Sequence, residues 1–441
     1  MLSRIYIFLL GINLLSSTDP LFAQDSLGNH YLTLSAAFDL AMSHSTEITV
    51  AHRSLSAVHE QTLISQQSRL PEANVSLKEG YLSSAEIWSP EWGDHRVGYL
   101  PHTATDFSVA ASWTIIAGGR IVLAVRQAGI QEEHARLDVI QHQQDVKLFV
   151  AVKYLDICRQ LNQQQIYLDN AQLARHRLSE IESLHRQGMV TRNDVLRTQI
   201  EINDYELAAR RTGNAILRLN TELNMILGQA DSVRLIPDSN LLHRPAQLQP
   251  LAYYLGLALR NNPGIQISRT ESRSAALRVR QQKAERLPTI SLFGETNLLR
   301  PYVYSIPAMD IYYNVWQVGV SIRYDIGSMF RSSARIRGSQ LDLDVSRTKD
   351  TLDQQQVIVD VRNAYNFCEE SNDALQTSQL NVGSANENYR IVEEKYRNQL
   401  ALITDLIDAT DTKIAAEIRV NDAIIDTIYT YYQLLQYTGS L

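Results

Sequence analysis

Two stretches of this 441-residue chain follow the same plan, and this duplication constrains the fold more than any other feature. Residues 386–410, NENYRIVEEKYRNQLALITDLIDAT, are a helix-forming run that passes through a short uncharged turn and restarts at Thr404, which we expect to cap the new helix. Residues 184–198, LHRQGMVTRNDVLRT, do the same, and Asp194 corresponds to Asp405 at an offset of 211. Each stretch is therefore predicted to be the tip of a helical hairpin, with an acidic first turn that suits the helix dipole.

The repeat extends well beyond the two tips. Leu70-Pro71 and Leu287-Pro288 correspond at an offset of 217, and so do Leu40-Ala41 and Leu257-Ala258. Because one offset holds over a whole element, the chain is predicted to contain two copies of one structural unit, each built from long hairpins. The predicted organisation is a first repeat, a linker and a second repeat, at residues 24–228, 229–247 and 248–441.

The N-terminus has the features of a secretory signal peptide. Arg4 precedes an apolar run from Ile5 to Leu15, and Leu21-Phe22-Ala23 provides a cleavage site, so residues 1–23 are predicted to be removed. This run is too short to span a membrane as a helix, and no later segment has about twenty continuous apolar residues. No cysteine directly follows the cleavage site, which argues against a lipoprotein. The protein is therefore predicted to be exported, and any membrane crossing must use strands.

Composition and motifs argue against several classes of function. The net charge of −7 and the pI near 5.9 argue against nucleic-acid binding, which usually requires a basic surface. The 11 histidines are scattered, without a His-Glu-x-x-His or Gly-x-Ser-x-Gly motif, so neither an enzyme nor a cofactor is predicted. His52 and His59 are interpreted as a solvated helix face rather than a metal site. Cys158 and Cys368 are compatible with one disulfide but are better explained as small buried thiols on equivalent helices.

Long amphipathic helices are predicted to make up most of the chain. Helical spacing of apolar residues after Leu32 is interrupted near Ser45 and stops at Leu70, because the following proline disfavours the helical conformation. From Arg120 to about Gln187 nearly all residues favour helices, and such a helix is about 100 Å long at 1.5 Å per residue. Apolar residues in steps of three, four and seven indicate side-by-side coiled-coil packing. The predicted helical segments are residues 32–70, 119–228, 248–287 and 329–438.

Each repeat also contains a predicted pair of strands. Apolar and polar residues alternate from Asp106 to Ile115 and from Trp316 to Asp325, and a period of two over about ten residues fits a tilted strand that spans a membrane. All four tryptophans lie in the strands or their connecting loops, as in an interfacial girdle. The strands alone are equally compatible with a soluble antiparallel sheet. Gly118-Gly119 and Gly327 are predicted to close the strands before the next helix. The strands are placed within residues 71–117 and 288–327.

If the four strands of one chain lie in a membrane, they cannot form a closed barrel by themselves. An isolated four-stranded sheet leaves two edges whose backbone groups find no partner in lipid. Closed barrels begin at about eight strands. The membrane interpretation therefore predicts that several copies of the chain pool their strands.

With this order of elements the chain resembles the TolC-like outer-membrane efflux proteins. A signal peptide is followed, twice over, by a helix pair ending in Leu-Pro, a strand hairpin, a long helix, a tip turn and a return helix. The resemblance covers essentially the whole mature chain. Its most specific local match is the stretch Thr404-Asp405-Leu406-Ile407-Asp408-Ala409-Thr410, which is similar to the family's Asp-x-x-Asp stretch at the inner tunnel mouth.

The resemblance implies a mixed fold of α-helices and membrane β-strands. Three chains are expected to form one trimeric twelve-stranded β-barrel in the outer membrane of a Gram-negative bacterium, continued by an α-helical coiled-coil tunnel through the periplasm. The implied function is a passive exit duct for drugs, small molecules or proteins in a tripartite efflux or type I secretion system. The implied partners are two further copies of the chain, a periplasmic adaptor, an inner-membrane pump and outer-membrane lipid. A periplasmic coiled-coil adaptor is the alternative, but an adaptor carries a β domain between its hairpin arms, whereas a short turn joins them here.

The resemblance also assigns candidate site residues. Asp405 and Asp408 share a helix face and are expected to form an acidic constriction of six carboxylates at the tunnel mouth; the alternative is that they serve only the N-terminus of their helix. Some family members have Gly and then Arg after the tip tyrosine, where this chain has Gln399 and Ala401, so a basic partner for bonds between helices is absent there. Arg397 and Arg192 are candidates to replace it, and the candidate gate contacts are Tyr396, Arg397, Asp194 and Arg192. The candidate adaptor-docking residues are those of the two tip turns: Gly188, Met189, Val190, Thr191, Gln399, Leu400, Ala401 and Leu402.

Overall fold

The structure is a computed structural model and describes residues 29–238, 241–242, 248–305 and 307–441. The predicted signal peptide lies outside the described residues, and so does part of the predicted linker. Within the described ranges, none of the helices is both long and apolar enough to cross a bilayer.

The first half of the chain contains a helix pair, two long strands and a helical hairpin. The helix pair breaks at Ser45, whose backbone is extended (φ −60°, ψ 125°). Gly118 and Gly119 adopt left-handed conformations before the long helix (φ 61° and 84°), which glycine allows because it has no Cβ. In chain order the elements are β1 (Asn29–Leu32), α1 (Leu34–His44), α2 (Thr46–Gln67), β2 (Glu72–Tyr81), β3 (Ala85–Trp88), β4 (His95–Gly98), β5 (Thr103–Ile116), α3 (Arg120–Arg186) and α4 (Arg192–Leu227).

The second half follows the same order of helices and long strands. Asn262 takes the place of Ser45 and caps its helix, because its Oδ1 accepts a hydrogen bond from the Ile265 N–H (3.1 Å). The elements are β6 (Arg234–Pro237), α5 (Leu251–Asn261), α6 (Pro263–Ala284), β7 (Thr289–Arg300), β8 (Tyr313–Arg323), α7 (Ile326–Arg397) and α8 (Ile403–Thr438). Gly327 lies inside the first turn of α7, so the prediction that it closes β8 is wrong. Asp325 already caps α7 by accepting a hydrogen bond from the Ser328 N–H (3.2 Å).

Two small two-stranded sheets were not predicted from the sequence. β1 pairs in parallel with β6, so the helix predicted from Leu32 begins at Leu34, and part of the predicted linker is a strand. The buried Tyr154 of α3 fixes this sheet, since its hydroxyl donates to the Leu32 carbonyl (2.8 Å). The other small sheet is the β3–β4 hairpin, which interrupts the connection between β2 and β5. Strands of four residues are too short to show a period in the sequence.

The four long strands form one antiparallel sheet in the order β2-β5-β7-β8. Its register separates an apolar face from a polar one, because the side chains of a strand alternate between faces. Exposed apolar side chains such as Val318 (75% exposed) lie on the first face, and Ser76 and Ser108 pair on the other. The apolar face contains Val75, Leu77, Phe107, Val109, Trp113, Leu292, Trp316, Val318, Val320 and Ile322. The sheet is thus amphipathic in the way that the alternation predicted.

The helices bury their cores between elements of both repeats. α3 packs against α1, α2, α4, α6 and α8, whereas α7 packs against α5, α6 and α8. The largest core cluster joins α1, α3, α4 and α8, with Val150, Ile157 and Leu223 fully buried. Cys158 and Cys368 are both free and buried, as predicted, and burial raises the pKa of the Cys158 thiol to about 12.

Candidate functional site at the hairpin tips

The first tip is a five-residue turn closed by a capping box. α3 ends at Arg186, and Gly188 turns the chain in a left-handed conformation (φ 74°). Thr191 is the N-cap of α4: its Oγ1 accepts from the Asp194 N–H (3.3 Å), and the Asp194 carboxylate accepts from the Thr191 N–H (2.8 Å). Because each residue satisfies an N–H group of the other, the start of α4 is fixed by two side chains.

The second tip has the same shape but a different cap. Gln399 adopts a left-handed conformation (φ 60°), which is uncommon for a residue other than glycine. α8 begins at Ile403, so Thr404 is inside the first turn and the prediction that it caps the helix is wrong. Leu402 is the N-cap and has no side-chain acceptor. Asp405 therefore caps this helix alone, by accepting a hydrogen bond from the Leu402 N–H (2.9 Å).

Asp405 and Asp408 lie on one exposed face of α8, opposite the buried Ile403 and Leu406. Asp405 serves the helix N-terminus through its hydrogen bond to Leu402 while its side chain stays open to solvent. Within the described part of the chain, Asp408 has no side-chain hydrogen bond or ion pair. Asp408 is thus an exposed acid without a capping role.

A cavity of about 390 Å³ separates the two tips. Tyr396 and Asp194 both line it but are not hydrogen-bonded to each other, and the Tyr396 hydroxyl is buried with no partner among the described residues. Burial and the nearby Asp194 carboxylate raise the pKa of Tyr396. Arg397 binds Glu393 of its own helix (3.3 Å) rather than the other tip, and Arg192 is exposed. The docking candidates Met189, Val190, Thr191, Gln399, Ala401 and Leu402 line the same cavity, whereas Gly188 and Leu400 do not.

A buried polar network lies just above this cavity and was not predicted. Arg177 of α3 forms a buried ion pair with Glu201 of α4 (Nη1–Oε1 3.2 Å) and donates to the Tyr389 hydroxyl of α7 (3.3 Å). The Tyr205 hydroxyl of α4 donates to Asp411 of α8 (2.8 Å) and lies 3.2 Å from Oε1 of Glu201. Burial raises the pKa of Glu201, and the Arg177 guanidinium opposes this shift. The network therefore connects all four helices of the two hairpins.

The sequence did contain a signal for this network. Arg177 occupies a position three residues after Ala174 and four before Ile181, both of which are buried. A charged residue within an apolar row of a helix must find a partner, since burying an unpaired charge is costly.

The described residues contain no group of three or more His, Cys, Asp or Glu side chains that could hold a metal ion. His59 instead contacts a single carboxylate, Glu132 of α3 (3.1 Å).

Comparison with solved structures finds the same fold in outer-membrane channels. The fold matches the outer-membrane channel OprN with a TM-score of 0.75, over 92% of this chain and 90% of that one, at 17% identity. At this identity the likeness shows the fold alone. The chain therefore shares the fold of that channel, with a four-stranded sheet and long helical hairpins.

Sequence comparison finds similarity to outer-membrane efflux and secretion proteins. The model of the outer membrane efflux protein family matches residues 254–440. The alkaline protease secretion protein AprF of Pseudomonas aeruginosa is 24% identical over 99% of this chain and 89% of its own length. The outer membrane efflux protein BepC of Brucella suis is 25% identical over 58% of this chain and 54% of its own length. The C-terminal half of the chain thus matches the outer membrane efflux protein family, and the chain as a whole is similar to proteins of this kind. These similarities support an outer-membrane efflux channel component over a periplasmic adaptor.

Proposed function

We propose that three copies of this chain form one continuous exit duct through the outer membrane and the periplasm. The observation that carries the proposal is the four-stranded sheet, whose outer strands β2 and β8 lack a neighbour on one side among the described residues. Its exposed apolar face suits lipid, and backbone groups at the open edges must be paired there. Three sheets joined edge to edge close a twelve-stranded barrel and leave no edge.

The helical part supports the same assembly. α7 carries a row of exposed apolar side chains, here called the α7 stripe: Leu341 (66% exposed), Val345 (68%), Leu352 (60%), Val359 (48%), Phe367 (53%) and Leu380 (75%). Val345, Leu352 and Val359 follow at intervals of seven residues, which is the spacing of a coiled-coil seam. A neighbouring copy that covers the α7 stripe would continue the barrel as a helical tunnel.

The tips of this tunnel are proposed to face a periplasmic adaptor and an inner-membrane pump. The tip turns and the cavity between them are the surface offered to the adaptor. The relative that matches nearly the whole chain is named for protease secretion, which supports polypeptides as cargo beside drugs and small molecules.

At the tunnel mouth, Asp405 and Asp408 are proposed to form a ring of six carboxylates. Rings of like charge create a negative potential and select cations. Their exposure and shared helix face support the proposal.

Planar-bilayer recordings test the ring. Trivalent cations added on the periplasmic side should block wild-type conductance, and the block should disappear in Asp405→Asn/Asp408→Asn. Asp408→Asn alone should also weaken it, without disturbing the cap of α8. Asp194→Asn, a first-turn acid of the other tip, is the matched control and should retain the block. Equal block in the double variant and wild type would show that these acids serve only their helix.

Cysteine labelling tests the orientation of the duct. Cysteines placed at Ser89 and Ser305, in the loops at the sheet end remote from the helices, should react with an impermeant reagent in intact cells. Cys158 and Cys368 are buried and should give little background. A cysteine at Gln187 in the first tip should stay protected. Labelling at Gln187 with protection at both loop sites would invert the proposed orientation.

A further inference from the structure

The connection between β2 and β5 carries exposed aromatic side chains that a passive duct does not require. Residues 82–102 lie at the sheet end remote from the helices, because α2 leads into β2 and α3 follows β5. Within this connection, Trp88 is 47% exposed, Trp92 77% and Tyr99 69%. A cluster of large apolar side chains in solvent typically marks a binding surface.

The β3–β4 hairpin holds these rings in a fixed arrangement. Trp88 lies opposite His95 in the strand register, and their rings stack with centroids 4.8 Å apart and planes 23° apart. The ring of Trp92 lies 6.0 Å from that of Trp88. Glu86 is two residues before Trp88 and so lies on the same face of the hairpin. One face thus combines a stack of rings with a carboxylate.

Trp92 is held in a conformation that its side chain disfavours. Its φ is 59°, in the left-handed region that bulky residues rarely adopt. The turn is fixed by hydrogen bonds from the Trp92 N–H to the Ser89 carbonyl (2.9 Å) and from the Ser89 N–H to the Asp94 carbonyl (2.9 Å). The turn therefore keeps a tryptophan in solvent at a cost in backbone strain, a combination found at recognition sites.

The charges around the rings narrow the choice of ligand. Residues 82–102 contain three carboxylates, Glu86, Glu91 and Asp94, and one arginine, Arg96. These carboxylates repel phosphate and other anionic headgroups. Glu91 and Asp94 flank Trp92, and burying them in hydrocarbon would be costly. A neutral saccharide avoids both penalties, because its C–H face stacks on the electron-rich face of an indole while its hydroxyls donate to carboxylates.

We propose that the β3–β4 hairpin is a saccharide-binding surface that takes neutral hexose units of an outer-leaflet glycolipid. The faces of Trp92 and Trp88 stack on the sugar rings, and Glu86 and Asp94 accept hydrogen bonds from the hydroxyl groups. The glycolipid as occupant rests on the outward orientation proposed above; the binding chemistry itself does not.

The test uses the purified full chain in detergent, titrated with the deacylated and dephosphorylated saccharide of an outer-membrane glycolipid. Calorimetry and tryptophan fluorescence report the affinity. Trp92→Asn removes the ring but tolerates the left-handed backbone, and it should weaken binding about fivefold or more. Trp92→Tyr should retain most of the affinity. Tyr304→Ala is the matched control, since Tyr304 is equally exposed (77%) in the loop of the other repeat, and it should bind like the wild type.

Two outcomes would overturn the inference. One is unchanged affinity in Trp92→Asn, or an equal loss in Tyr304→Ala. The other is hairpin-dependent binding to phosphatidylcholine vesicles without binding to the saccharide, which would identify a membrane anchor. Conductance and oligomeric mass are measured on the same samples. A wild-type channel that conducts but does not bind the saccharide therefore counts against this inference alone, whereas a wild-type chain that forms no channel counts against the proposed function.

Discussion

The two long helical hairpins have the same order of elements, but a single chain buries their long helices, α3 and α7, to very different extents. α3 has five helical neighbours, and its buried side chains continue from Ala128 to Ile181. α7 is as long but carries the exposed α7 stripe. Duplication of a sequence has therefore not produced two equivalent hairpins. The long helix of one is buried along most of its length within the chain, and that of the other presents a surface that we expect a neighbouring copy to cover.

Acidic substitutions in the α7 stripe should have the largest effect, because they test whether a neighbouring copy covers this surface of α7. In Leu352→Asp/Val359→Asp, each of the three interfaces of the proposed trimer loses the burial of two apolar side chains, which costs about 1.5–3 kcal/mol per side chain. Each interface must also bury carboxylates in their place. Light scattering in detergent should show loss of the trimer. Arg347→Asp places an acid on the same helix away from the α7 stripe and should leave the mass unchanged. A trimer that survives the double substitution would mean that the α7 stripe faces solvent.

The buried polar network around Arg177 joins the two hairpins, and its loss should lower the stability of the tips. Arg177→Leu leaves the Glu201 carboxylate buried without its partner, and loss of one member of a buried pair costs about 3–5 kcal/mol. The melting temperature should fall, and trypsin should cleave the tips faster. Arg177→Leu/Glu201→Leu should recover much of the loss, because no unpaired charge remains.

A neighbouring ion pair provides the control for this experiment. Arg175 contacts Glu206 (2.5 Å) between the same two helices, but its side chain is 59% exposed. Exposed pairs contribute about 0–1 kcal/mol, so Arg175→Leu should be nearly neutral. If Arg175→Leu and Arg177→Leu destabilised the protein equally, burial would not explain the contribution of the Arg177 ion pair.

The sequence predicted the elements that local patterns determine. Prolines at Pro71 and Pro288 and the change of period placed the helices and long strands, and the repeat offset related the two tips. The β1–β6 pairing and the Arg177 network were missed because they join residues far apart in the chain. Thr404 was misassigned because the sequence does not fix the first residue of a helix to within one or two positions. A shift of that size changes which side chain reaches the free N–H groups.

The two hairpin tips differ in how the N-terminus of the following helix is capped. At the first tip Thr191 and Asp194 cap each other, so Asp194→Ala leaves the threonine acceptor in place. At the second tip Leu402 stands in the position of Thr191, so Asp405→Ala removes the one side-chain cap found there. Loss of a cap costs about 1 kcal/mol. Amide hydrogen exchange should therefore rise about fivefold in the first turn of α8, and less in that of α4.

Repair of the second cap separates the two roles of Asp405. Leu402→Thr in the Asp405→Ala background supplies the acceptor that the first tip already has, so protection of the first turn of α8 should return. The negative charge at the tunnel mouth does not return, so block by trivalent cations should stay weakened. If Leu402→Thr restores neither protection nor block, the difference between the tips does not arise from the cap. If it restores both, Asp405 acts on the channel through the helix start rather than through its charge.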